Sequence, residues 1–174
     1  MNNKEIEVLL QKLRDYLEVL EKPRPEYEGL PACPFIKKER IKNKLMIDIF
    51  DNSSESFLEK MEMFLDSEYT DAVFAQPIEE TLSTEDSKIY QNFLNKLVKK
   101  KFNNHKVIIV NPSDNFNVEG FNPRSFAPCI LIVVTNKDKL SDAHKKMINS
   151  KYFTNFDEDY LIYLHVKKEE VGLE

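Results

Sequence analysis

The first candidate for chemistry in this sequence is Cys33, in the segment Leu30-Pro31-Ala32-Cys33-Pro34-Phe35. Pro34 suits the first position of a helix, where its missing N–H costs no hydrogen bond, so a helix from Pro34 to about Arg40 is predicted. Cys33 then lies at the N-cap, where the positive end of the helix dipole and the ammonium groups of nearby lysines lower the pKa of a thiol. These residues predict a thiolate nucleophile. The alternative is a small, buried structural cysteine between two prolines.

A second candidate lies in the long connection before the apolar run at residues 130–134. Arg124 is flanked by prolines and aromatic residues, and its planar guanidinium has the right geometry for a carboxylate or a phosphate. We expect it to bind a small anionic molecule together with polar side chains of the same connection, namely Asn111, Ser113, Asp114 and Asn122. Alternatively, Arg124 pairs with Asp114 or Glu119 and only fixes the shape of the connection. Connections of this length are typically functional or disordered.

Cys129 directly follows this connection, at the start of the apolar run. One interpretation is a buried structural thiol, and the other is a resolving thiol for Cys33. The histidines are spaced unlike metal ligands, and the sequence contains neither a Gly-rich phosphate-binding motif nor a nucleophile-elbow motif. We therefore expect no metal and no cofactor.

Composition argues against several classes of partner. The formal net charge is −5 and the lysines are dispersed except at residues 99–101, so the basic footprint of a nucleic-acid-binding protein is missing. No apolar run approaches the roughly 20 residues of a membrane span, and the first residues lack the apolar stretch of a secretory signal. We expect a cytoplasmic protein with reduced cysteines and with no nucleic-acid or membrane partner.

The pattern along the chain predicts a single domain in three parts. Residues 1–22 form an N-terminal helix with one apolar stripe from Ile6 to Leu20. Residues 23–32 form a Pro-rich arm in extended conformation, and residues 33–174 form the body.

Strands alternate with helices in the body. Strands are predicted at 45–50, 72–75, 107–110 and 130–134, and the last two are placed in the centre of the sheet because they are apolar throughout. Helices are predicted near 57–65, from Ser83 to about Phe102 and from about Ser141 to Ser150, whereas 160–166 fits either a strand or a helix. The helix after Ser83 is predicted to bury Ile89, Tyr90, Phe93, Leu94 and Leu97.

This alternation predicts an α/β fold, with α+β as the alternative. We expect a mixed sheet of about four to five strands covered by helices, with layering related to that of ferredoxin-like folds.

Three short motifs also occur in a particular order. They are Cys33-Pro34-Phe35, the segment 111–116 after a predicted strand, and Asn122-Pro123-Arg124-Ser125-Phe126-Ala127-Pro128 before the next strand. This order resembles an uncharacterised bacterial family, the domain of unknown function 1415, which has related proteins in marine phages. Asn111 stands where that family often has His, which removes a general base from this position. The resemblance points to Cys33 and Arg124 and implies no particular reaction.

Three functions are consistent with these residues. The leading hypothesis is a small thiol-dependent enzyme in which Cys33 attacks or is oxidised and Arg124 orients an anionic substrate. The second is a non-catalytic module that binds an anion or a protein segment through the same connection. The third is an interaction protein that uses the N-terminal helix as an exposed zipper.

Overall fold

The computed structural model describes residues 2–25, 28–31, 34–51, 53–78, 82–110, 129–147, 150 and 152. In chain order, these ranges contain α1 (Asn3–Leu20), α2 (Pro34–Ile41), β1 (Leu45–Ile49), α3 (Ser54–Leu65), β2 (Asp71–Pro77), α4 (Thr84–Lys101), β3 (His105–Val110), β4 (Cys129–Asn136) and α5 (Lys137–Met147). Segment 160–166 lies outside the described residues.

Side-chain caps explain where several helices begin. Asn2 and Glu5 form a reciprocal capping box at the start of α1. Ser53 caps α3 and Ser83 caps α4, as the sequence predicts for the latter. Helix α5 begins at Lys137 rather than near Ser141, because the side chain of Asn136 accepts hydrogen bonds from the first N–H groups of the helix.

The four strands form one mixed sheet in the order β1-β2-β4-β3. Strand β1 pairs parallel with β2, whereas β4 pairs antiparallel with both β2 and β3. Strands β1, β2 and β3 therefore run in the same direction. This architecture confirms the predicted α/β class and the mixed sheet covered by helices.

Helices cover both faces of the sheet. Ala72 and Phe74 share one face with their partners Val134 and Ile132, and helices α3 and α4 pack there. The rings of Phe50, Phe57 and Phe74 meet in tilted and edge-to-face contacts, with centroids 5.5–6.4 Å apart. The buried residues contributed by the two helices are Phe57, Met61, Phe64, Leu94 and Val98.

Helices α1, α2 and α5 lie on the opposite face, where Val73 and Ala75 are fully buried. Much of the apolar stripe of α1 is buried within the protein. The buried residues are Leu13, Tyr16, Leu17 and Leu20. The end of α1 is tied to α2 by a bidentate ion pair in which Arg40 donates two hydrogen bonds of 2.7 Å to Glu21.

Among the described strands, β3 lies at an edge of the sheet, so the central position predicted for it is wrong. Three of its outer backbone groups are bound by side-chain amides of α4. Asn95 accepts from the N–H of Val107 (3.0 Å) and donates to its carbonyl (2.8 Å), while Gln91 accepts from the N–H of Ile109 (2.7 Å). The helix therefore takes the place of a neighbouring strand, which explains how an apolar strand is accommodated at an edge.

This edge contact also corrects the predicted buried face of α4. Ser87 and Gln91 are buried, whereas Ile89 and Phe93 are 59% and 43% exposed. The helix is rotated so that its amides reach β3, and only Leu94 among the predicted residues is fully buried.

The described residues of the Pro-rich segment after α1 fold back on one another, so the predicted extended conformation is wrong. Pro23 and Pro31 form an antiparallel bridge. The N–H of Arg24 donates to the carbonyl of Leu30, and the N–H of Gly29 donates to the carbonyl of Arg24. Gly29 has φ of 84°, a conformation that residues with a Cβ rarely adopt, and this allows the segment to turn back on itself.

We predict that Asn95→Leu destabilises the protein by about 1–3 kcal/mol, because it leaves two backbone groups of Val107 without a partner. Chemical denaturation measures the effect. Lys99→Leu is the control, since Lys99 is an exposed polar residue on the same helix and does not contact β3 through an amide. Equal stability of the two variants would contradict the role of Asn95.

Candidate functional site

Three strands end on the same side of the sheet. Strands β1, β2 and β3 end at Ile49, Pro77 and Val110, and β4 begins there at Cys129, which is paired in register with Pro77. In α/β sheets, the carboxyl ends of parallel strands are the usual location of ligand sites. We refer to this side of the sheet as the carboxyl edge.

A cleft of about 460 Å³ lies at the carboxyl edge. Of the described residues that line it, four are polar and lie on the β1–α3 unit, and four are apolar. The polar residues are Asp48, Asp51, Ser56 and Lys60, and the apolar residues are Ile6, Ile49, Phe50 and Pro77. Its volume falls in the range of small-molecule pockets.

The side chains of Asp48 and Lys60 form an ion pair in the wall of the cleft. Lys60 Nζ lies 2.5 Å from Asp48 Oδ2, and both side chains are about one-quarter exposed. The other carboxylate oxygen of Asp48 accepts from the N–H of Ile49 at 2.7 Å. Asp48 faces α3 because it shares a sheet face with its partner Phe74. Its charge is therefore neutralised within the protein.

Asp51 is held in a turn at the start of α3. Its Oδ1 accepts from the hydroxyl of Ser53 at 2.7 Å and from the N–H of Ser53 at 2.9 Å. These hydrogen bonds, with a further one from Ser56, hold the pKa of Asp51 below its usual range. Asp51 is exposed, and among the described residues that line the cleft its carboxylate has no lysine or arginine partner.

Most residues that the sequence singles out lie outside the described residues. These are Cys33, Asn111, Ser113, Asp114, Asn122 and Arg124. Their described neighbours in sequence are placed. Pro34 is the first residue of α2, as predicted, and the connection 111–128 joins Val110 to Cys129, which both lie at the carboxyl edge. Cys129 is the first residue of β4.

Sequence reasoning does not single out the polar residues of the cleft. It interprets the segment Asp51-Asn52-Ser53 as a turn and cap, which describes a backbone role and omits the position of Asp51 in a cleft. A charged residue inside the apolar run 45–50 is the available signal for Asp48. Its partner Lys60 follows 12 residues later on the next element, a spacing that no local pattern reveals.

A second charged cluster lies at the opposite edge of the sheet, where β2 begins and β4 ends. Lys139 of α5 lies 3.0 Å from Glu39 of α2 and also binds Asp71, and both carboxylate residues are only 6% exposed. Asp71 accepts from the hydroxyl of Thr135 at 2.6 Å, and the hydroxyl of Thr70 lies 2.9 Å from Glu39 Oε2. The cluster thus ties α2 and α5 to the strands that they cover.

Burial raises the pKa of Glu39, but hydrogen bonds from Lys139 and Thr70 and the charge of Lys139 outweigh it, so the pKa is lowered overall. Nearby, His105 packs edge-to-face on Phe64 with centroids 5.7 Å apart. Burial lowers the pKa of His105, and the charge of Asp71 opposes this only in part. Lys139 and the two carboxylates are paired with one another, and we interpret the cluster as structural.

Metal sites and membrane spans are both missing from the part of the chain that the structure describes. There, no three His, Cys, Asp or Glu residues are grouped so that they could hold a metal ion. Nor does any helix in the same ranges combine the length and apolarity that a bilayer crossing requires.

No protein-family model, curated protein or solved structure matches this chain. The resemblance carried by the Cys33 and Arg124 motifs remains a prediction, and we infer function from the cleft.

We predict that Lys139→Met destabilises the protein by about 3 kcal/mol at neutral pH, because it leaves Glu39 and Asp71 buried without a cation. This is the low end of the range for a broken buried pair, since one-third of the Lys139 side chain is exposed. Lys145→Met, at an exposed position of the same helix, is the control.

The same substitution has an expected pH dependence. The folded pKa of Glu39 lies below its unfolded value of about 4.3, so its stabilising contribution is present above that pH and is lost as the pH falls through the folded pKa. The stability difference between Lys139→Met and the parent should therefore shrink in acid. Denaturation curves at several pH values test this, and a constant difference would count against the ion cluster.

Proposed function

We propose that this chain is a binding module for a small zwitterionic molecule, which occupies the cleft at the carboxyl edge. In this proposal an ammonium group of the ligand binds Asp51, and its anionic group binds Arg124 of the connection 111–128. The observation that carries the proposal is the position of the cleft, at the edge where the connection leaves β3 and enters β4.

The charges in the cleft support a ligand with a positive group. Lys60 is paired with Asp48, so it offers little to an anion. No cation among the described lining residues neutralises the carboxylate of Asp51. Charge-assisted hydrogen bonds are about twice as strong as neutral ones, which favours an ammonium donor opposite Asp51. The sequence predicts that Arg124 binds an anion, and this residue would bind the anionic group of the same ligand.

The chemistry of Asp51 favours binding over catalysis. A general base is most effective when its pKa lies near the working pH. Hydrogen bonds from Ser53 instead lower the pKa of Asp51, so this residue remains ionised and accepts protons poorly. The hydroxyl of Ser53 donates to the same carboxylate and caps α3, which gives it a structural use.

We predict that ligand-observed NMR detects binding of free amino acids, and weaker binding of simple amines and simple carboxylates, since each of the latter satisfies one half of the site. Asp51→Asn should weaken amino-acid binding about tenfold or more, because it removes one charge-assisted hydrogen bond. An asparagine can still accept from the N–H of Ser53, so the turn is retained.

Glu55→Gln is the matched control, because Glu55 is an exposed acid in the first turn of α3 and does not line the cleft. The proposal fails if no probe of the panel binds, or if the two variants bind equally well. Arg124→Gln tests the anionic half separately and should weaken carboxylates but not amines.

A thiol-dependent enzyme is the second candidate. One observation favours it: α2 begins at Pro34 and has no acidic residue in its first turn, so no carboxylate of that turn opposes a thiolate at the residue before it. In this candidate Cys33 is the nucleophile, Arg124 orients an anionic substrate, and Cys129 is available as a resolving thiol. The helix-mediated alternative is weakened, because much of the stripe of α1 is buried within the chain.

We predict that Cys33 is alkylated by iodoacetamide with an apparent pKa below the ordinary value of about 8.5. Cys33→Ser and Cys129→Ser assign the two reaction rates to their residues. A pKa at or above the ordinary value would remove the thiol candidate. Amino-acid binding that survives Cys33→Ser would favour the binding module, because thiol chemistry cannot survive that change.

A further inference from the structure

The outward face of α4 combines apolar and charged residues in a regular order. Ile89 and Phe93 are 59% and 43% exposed, although most large apolar side chains of this helix are partly or fully buried. At 3.6 residues per turn, the residues that share this face are Glu85, Ile89, Asn92, Phe93, Lys96 and Lys100. They lie opposite the side that carries Gln91, Leu94 and Val98. We refer to these six residues as the α4 ridge.

Contacts on the inner side of α4 fix the orientation of the ridge. Gln91 and Asn95 are bound to the backbone of β3, so the helix cannot rotate to bury Ile89 without breaking those hydrogen bonds. The ring of Phe93 is stacked on Tyr90 with centroids 6.3 Å apart, and the hydroxyl of Tyr90 donates to the buried side chain of Gln76 at 2.8 Å. These contacts fix the orientation of α4, so Ile89 and Phe93 remain on its outward face.

The charges along the ridge have opposite signs at its two ends. Glu85 lies in the first turn of α4, whereas Lys96 and Lys100 lie toward its last turn. We propose that the ridge binds the same ridge of a second copy of this chain, with the two α4 helices antiparallel across a twofold axis near Asn92 and Phe93. A twofold interface requires such self-complementarity.

This arrangement follows from matching positions on either side of the axis. Glu85 of each copy lies opposite Lys100 of the other, and Ile89 lies opposite Lys96, whose methylene stem covers it. The two Phe93 side chains meet near the axis, where aromatic residues contribute most to an interface. A parallel arrangement would instead place like charges together, which is unfavourable.

Other exposed apolar residues do not form a comparable surface. Val8 lies on α1, Ile41 at the end of α2, Met63 on α3 and Tyr69 in the turn before β2. Single exposed apolar residues are ordinary features of protein surfaces. Among the described residues, only the α4 ridge places two exposed large apolar side chains one helical turn apart.

Sedimentation equilibrium tests the proposal on the full chain over roughly 10 µM to 1 mM. We expect reversible dimerisation that weakens with added salt. Phe93→Asp should abolish the dimer while circular dichroism shows an intact fold, since the side chain is largely outside the core. Met63→Asp is the matched control for an exposed apolar residue on another helix and should leave the dimer unchanged.

Charge reversal gives the sharper test. Glu85→Lys or Lys100→Glu alone should weaken the dimer about tenfold, because each change creates two repulsive contacts across the axis. The double variant Glu85→Lys with Lys100→Glu should restore it, and so should an equimolar mixture of the two single variants. Effects on the helix dipole within one chain would instead accumulate in the double variant.

Glu55→Lys, which reverses the acid in the first turn of α3, controls for that intrachain effect. The proposal is overturned if the parent chain stays monomeric up to the highest concentration. It is also overturned if Phe93→Asp and Met63→Asp behave alike, or if the double variant is weaker than either single variant.

Discussion

The need to satisfy the backbone of β3 determines much of this structure. An edge strand with an apolar run, such as residues 107–110 of β3, exposes N–H and C=O groups that would recruit another strand. Asn95 and Gln91 bind those groups, and in doing so they set the rotation of α4 about its own axis. That rotation decides which residues enter the core and which face solvent. A local hydrogen-bond requirement at one edge thus determines a surface on the far side of a helix.

The charged groups at the two ends of the strands have different roles. Where β2 begins and β4 ends, Lys139 holds two buried carboxylates, and all of these groups have partners. Where β1, β2 and β3 end, Asp48 and Lys60 neutralise each other but Asp51 faces open space beside them. The first arrangement stabilises the association of helices with the sheet. The second leaves the carboxylate of Asp51 available to a ligand.

The sequence predicts the elements well and their exact environments poorly. Capping at Ser83 and the apolar runs of β3 and β4 are local signals, so the corresponding elements are found where expected. The predicted buried face of α4 is wrong because apolar periodicity ranks Ile89 and Phe93 above Gln91, and it contains no information about which backbone groups lie beside the helix. The cleft escapes prediction for a similar reason, since Asp48 and Lys60 become neighbours only through the packing of α3 on β1.

Pro77, which lines the cleft, has a consequence for how the sheet ends. The N–H of Phe50 donates to the carbonyl of Ala75, and the next bond of a parallel ladder would run from residue 77 back to the carbonyl of Phe50. Proline has no N–H to donate, so pairing between β1 and β2 stops there and the two segments that follow the strands can diverge. A single missing backbone N–H thus marks the point where the pairing of β1 with β2 ends and the cleft begins.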